Sequence, residues 1–83
     1  MNNQFENLNN AVNLGLVNLN DFYSVTFSEY RIDLQGKFNN KLVATLSRDS
    51  GVKFKTNESG YVEGVIHYNS SESGELKINV TLT

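Results

Sequence analysis

The residues able to do chemistry in this chain are few. It has one histidine and no cysteine. Thiolate nucleophiles, disulfides, sulfur-ligated metals and multi-histidine zinc sites are therefore excluded. His67 and Glu63 share one face of a strand, but four residues of extended chain separate their Cα atoms by about 13 Å. Acid–base work at His67 would need a further group delivered from a neighbouring strand, and no such group can be named. Asp33, Asp49 and Glu58 lack calcium-loop spacing. Gly36, Gly51, Gly60, Gly64 and Gly74 stand singly, as turns or bulges have them, and form no phosphate-binding loop. The sequence thus predicts no enzyme, no cofactor and no metal.

The remaining chemistry is charge. Arg31, Lys53, Lys55 and Lys77 fall on one phase of three strands and form a basic stripe with Tyr61 at its edge. Sheet faces bind single-stranded nucleic acid through such cations combined with stacking aromatics. Here Asp33 and Glu63 interrupt the stripe and most aromatics take the opposite phase, so a mixed-charge solvated face is the plainer reading. Nine acidic and seven basic residues give a net charge of −2, too little for a nucleic-acid mimic. There is no polybasic membrane anchor, no apolar run of spanning length and no secretory leader, so a cytoplasmic protein with no membrane partner is expected. The triplets starting at Asn57, Asn69 and Asn79 match a glycosylation signal, which chance supplies in a chain with thirteen asparagines.

Eighty-three residues make one domain, spanning 1–83, with a thin core. Phe5, Leu8, Val12, Leu16 and Leu19 recur at helical spacing. Asn3 and Glu6 fit a capping box, and Gly15 a C-terminal stop. Leu14 and Val17 miss that stripe. Tyr23, Val25 and Phe27, then Tyr30, Ile32 and Leu34, alternate in opposite phases, which predicts a hairpin. A two-residue loop at Ser28-Glu29 would pair Phe27 with Tyr30 and Val25 with Ile32. Phe22 falls on the other face. Phe38, Leu42 and Leu46 predict a second, short helix capped by Asn39, with Phe38 stapled to Val43 and a stop at Gly51. A strand over Lys41–Ser47 is the alternative.

Val52, Phe54 and Thr56 pair with Ile66, Gly64 and Val62 across a loop of Glu58, Ser59 and Gly60, with Gly60 left-handed. That register also sets Lys55 against Glu63. A polar loop from Asn69 to Gly74 leads to a final strand with Leu76, Ile78, Val80 and Leu82 inward. The class is α+β: an antiparallel or mixed sheet of about five strands, with both helices on one face. The other face carries Ser24, Thr26, Arg31, Asp33, Lys53, Lys55, Glu63, Lys77 and Asn79.

From Val25 to Glu63, through Tyr30–Gly36 (YRIDLQG) and Gly60–Gly64 (GYVEG), the chain resembles small accessory proteins of Bacteroidota phages and prophages. The resemblance implies an inhibitor of host defence of the anti-CRISPR type, which binds an effector nuclease or its ribonucleoprotein. It assigns no functional residue. The expected function is protein binding, with nucleic-acid binding through the outer sheet face as the alternative and self-association as a third reading. Leu14, Val17 and Phe22, apolar and off the core register, join Arg31, Lys53, Lys55 and Tyr61 as candidate contacts. A register shift of one would bury the first three instead. The final strand, if at an edge, offers a further pairing surface.

Overall fold

The apolar spacing of the first segment produces α1, Gln4–Asn13, which buries Leu8 and Ala11. The computed structural model describes residues 4–28, 31–70 and 74–83, so the proposed cap at Asn3 lies outside the described residues. Gly15, at φ 77°, follows the helix as expected of a stop. Leu19 does not continue the stripe. It opens a 3-10 turn, Leu19–Asp21, capped by the Asn18 side chain accepting from the Asn20 amide.

Two strands follow, β1 (Ser24–Phe27) and β2 (Ile32–Gly36). Their register pairs Phe27 with Ile32 and Val25 with Leu34, two residues from the expected one. The Ser28 amide donates to the Arg31 carbonyl at 2.9 Å, so these two residues close the hairpin and the turn is centred one residue later than Ser28-Glu29. Neither Ser28 nor Glu29 offers the positive φ that a tight primed turn requires. Tyr30 itself lies outside the described residues. A slip of two preserves facing, so the predicted inner and outer sets survive it.

Helix α2 spans Asn40–Ser50, which settles the choice against a strand. The Asn39 side chain accepts from the amides of Lys41 and Leu42, and Gly51 closes the helix in the left-handed conformation. Leu42 and Leu46 are buried while Phe38 is exposed. After α2 only Lys55–Thr56 forms a ladder, β3, paired as expected to Val62 and Glu63 of β4, Val62–Ser70. Gly60, at φ 85°, completes the three-residue loop. β4 pairs with β5, Gly74–Leu82, as far as Ser70 with Gly74. Asn69, Ser70 and Gly74, expected in a loop, thus belong to the two strands, and residues 71–73 lie outside the described residues.

The sheet order is β1-β2-β5-β4-β3. β2 and β5 run parallel and the other neighbours antiparallel, giving a five-stranded mixed sheet with two helices on one face. Ile32, Leu34, Ile66, Ile78, Val80 and Leu82 form the sheet side of the core, closed by Leu8, Ala11, Val17, Leu42, Leu46 and Val52. Each buried aliphatic contributes about 1.5–3 kcal/mol. β5 lies in the centre, so the final strand is not an edge. The edges are β1 and β3.

Two apolar residues expected on the surface are corrected. Val17 is 4% exposed and belongs to the core. Phe22 is half-buried against that core, its ring so close to Gly36 that a Cβ there would stand 3.0 Å from Phe22 Cδ1. The chain leaves helical phase at Gly15, before Val17, and the 3-10 turn Leu19–Asp21 resets the strand phase before Phe22. Leu14, 64% exposed, remains on the surface.

Candidate binding face

Strand alternation turns the odd residues of β2, β4 and β5 away from the helices. The registers place them in rows across the sheet. One row joins Thr26, Asp33, Asn79 and Val65. The next joins Ser24, Gln35, Thr81, Glu63 and Lys55. On the other side His67 stands opposite Lys77, with Arg31 just before β2. The outer face expected from sequence is thus assembled on one surface. An open groove of about 590 Å³ runs across it, with Arg31, Asp33, Lys53, Lys55, Glu63 and His67 in its lining.

The carboxylates in the groove are held by its own cations. Arg31 Nε donates to Asp33 Oδ2 at 2.8 Å. That hydrogen bond, and then the charge of Asp33, raise the Arg31 pKa above its ordinary value. Lys55 Nζ lies 3.7 Å from Glu63 Oε1, and Asn57 Nδ2 donates to Glu63 Oε2 at 3.3 Å. These pairs are exposed and add little to stability. Their effect is on the field, because each internal pair leaves the neighbouring cations less compensated. Lys53 and Lys77 are exposed and form no ion pair among the described residues.

Four cations, Arg31, Lys53, Lys55 and Lys77, thus share the face with Asp33 and Glu63 and, by its odd position on β5, with Glu75. The chain as a whole is negative by two, so its positive charge is concentrated here and the remainder is the more acidic. Half-buried Asn79 and Thr81 floor the groove, and their side chains can offer hydrogen bonds between the charges.

The sequence-predicted contacts divide. Arg31, Lys53 and Lys55 meet in the groove. Tyr61 is exposed at the hairpin end of β4, outside the groove lining, its amide donating to Asn57 Oδ1 at 3.0 Å. Leu14 is exposed beyond the end of α1, also outside the groove. Val17 and Phe22 are taken up by the core side. Val17 lines a smaller depression of about 360 Å³ between the end of α1 and α2, which Ser50 Oγ ties together by donating to the Leu16 carbonyl at 2.7 Å. Among the described residues no group of three or more His, Asp or Glu side chains could hold a metal ion, and no helix is long and apolar enough to cross a membrane.

One apolar surface went unread in the sequence. Phe5, Val25 and Phe27 were assigned inward, yet they are 73%, 37% and 40% exposed. Phe5 and Phe27 rings meet with centroids 5.9 Å apart. Only knowledge that β1 is an edge strand would have revealed this patch, and strand order is not written in local alternation. Comparison with protein-family models, with curated proteins and with solved structures finds no match. The functional reading therefore rests on the geometry of the chain itself.

Proposed function

We propose that this chain is a non-enzymatic binding module whose outer sheet face docks against an acidic surface of a protein partner. The supporting observation is the excess of Arg31, Lys53 and Lys55 over Asp33 and Glu63 in the groove lining of a net-negative chain. A face of this kind steers an oppositely charged partner and fixes its orientation. Nucleic acid is the second reading, supported by the same cations. It is the weaker one, because single strands need aromatic platforms and no Phe, Tyr or Trp among the described residues lines this groove. The two carboxylates would also repel phosphates, whereas a protein surface can meet them with cations of its own.

The resemblance to phage accessory proteins adds a specific partner class, an effector nuclease of bacterial defence or its ribonucleoprotein. The test uses lysate from a bacterium that carries such a system. The chain and its Lys53→Glu/Lys77→Glu variant are used as baits, with and without nuclease digestion. We expect a protein partner that survives digestion and is lost from the variant. Loss of capture on digestion would move the function to nucleic acid. Equal capture by the variant would remove the outer face as the site.

A further inference from the structure

The end of the sheet opposite β3 is closed by β1, which has a neighbour on one side only. The Ser28 amide donates to the Arg31 carbonyl, which makes Ser28 and Arg31 a hydrogen-bonded pair. Antiparallel alternation then turns the peptide groups of Thr26 and Ser24 toward β2 and those of Val25 and Phe27 off the edge. Their side chains are partly exposed on the helix-covered side, beside the exposed ring of Phe5. Natural edges are usually guarded by charge, proline or a bulge. The four residues of β1, Ser24-Val25-Thr26-Phe27, carry neither charge nor proline.

We propose that two copies of the chain pair through β1, antiparallel about a two-fold axis at Thr26, into one continuous sheet. Such a pair is self-complementary. The outward peptide groups of Val25 meet those of Phe27 from the second copy, and reciprocally. Val25 and Phe27 then lie side by side across the junction with the Phe5 rings next to them, while Thr26 faces its own counterpart on the outer side. Apolar residues meet apolar residues, a hydroxyl meets a hydroxyl, and no like charges are opposed within the strand. A foreign strand would need that same alternation; the second copy has it already. The two-fold axis stands perpendicular to the sheet, so both cationic outer faces point the same way and double the surface offered to a partner. The pairing does not depend on the identity of that partner. A four-residue edge with one aromatic cluster is small beside the roughly 1,200–2,000 Å² of a stable interface, so the dimer is weak and concentration-dependent.

The absence of native cysteine makes the test direct. In this register the Thr26 residues form a non-hydrogen-bonded pair with Cα atoms about 4.5 Å apart, within disulfide range. Thr26→Cys is compared with Ser47→Cys, an exposed position on α2, at equal concentration under mild oxidation. We expect covalent dimer to form on the order of tenfold faster or more for Thr26→Cys, because pairing raises the local thiol concentration. Sedimentation of the native chain should show mass rising toward a dimer, and Val25→Lys should hold it at the monomer with its thermal melt retained. Equal crosslinking rates for the two cysteine variants would overturn the proposal. So would a monomer mass for the native chain up to about 1 mM. If Val25→Lys fails to fold, the cysteine comparison decides.

Discussion

Asn7 is 5% exposed, and its side chain has no hydrogen-bond partner among the described residues. An amide buried in that way costs about 1–3 kcal/mol, and Asn is also a poorer helix former than Leu. Asn7→Leu should therefore stabilise the chain by about 1–2 kcal/mol, a rise in Tm of roughly 4–8 °C for each kcal/mol in a domain of this size. A thermal melt checks it, and a lower Tm would show that the pocket around Asn7 has no room for the larger side chain. Gly64 gives the opposite sign. A Cβ there would stand 2.5 Å from Val52 Cγ1 and 3.0 Å from Phe54 Cδ1, so Gly64→Ala should cost about 1–3 kcal/mol by overpacking. Adding Val52→Ala should make the second change cost less than it does in the native chain. Phe54 above a bare Gly64 was legible from strand phase alone. The burial of Asn7 was not, because the apolar stripe points to Phe5. In the fold α1 starts over the edge strand, so its first turn overhangs the sheet: the exposed Phe5 ring meets Phe27, and the buried face rotates toward Asn7, Leu8 and Ala11.

At the scale of the element, α2 is the part most fully written in its own sequence. Asn39 holds two amides of its first turn, from Lys41 at 2.8 Å and from Leu42 at 3.3 Å. Asn39→Ala should cost about 0.5–2 kcal/mol, read from denaturant unfolding with an unchanged slope. The other end carries an opposed pair. Asp49 sits among the last carbonyls, where a negative charge is unfavourable, but Arg48 Nε donates to Asp49 Oδ1 at 2.9 Å. That bond, more than the charge of Arg48, holds the Asp49 pKa below its ordinary value. A carboxylate with a lowered folded pKa adds stability above its unfolded pKa and loses it as the pH falls through the folded value. Arg48→Ala should remove that acid-side dependence and move the Asp49 titration, followed by NMR, back up toward the ordinary carboxylate value. The net effect at neutral pH should be small, since both side chains are largely exposed. The hairpins divide along the same line. The β3–β4 loop was legible because Gly60 marks the left-handed position. The β1–β2 register differs by two from the one the alternation predicts, because no glycine or asparagine fixes the position of the turn and a slip of two leaves every side chain on its proper face.

For the whole molecule, alternation reveals which face each strand buries but not which strands are neighbours. Nothing local shows that β5 returns to the middle of the sheet, parallel to β2 and antiparallel to β4. That placement is why Arg31, just before β2, and Lys53 and Lys55, at β3, line one groove. It also separates two kinds of strand in their effect on stability. β5 is flanked on both sides and buries Ile78, Val80 and Leu82, whereas β1 has one neighbour and leaves Val25 and Phe27 partly exposed. Ile78→Ala should therefore cost about 2–5 kcal/mol, as large-to-small changes in a closed core do. Val25→Ala should cost clearly less, since much of its surface already meets water. Removal of Leu76 to Thr83 goes further. It takes three buried aliphatics worth about 1.5–3 kcal/mol each from a domain whose total stability is about 5–15 kcal/mol. It also leaves the facing edges of β2 and β4 unpaired inside the sheet, with no strand to bridge them. The truncated chain should show no cooperative transition by circular dichroism or calorimetry. A cooperative melt near that of the native chain would mean that β2 and β4 close on each other without β5. The central strand, and with it the groove that depends on its register, would then be misplaced.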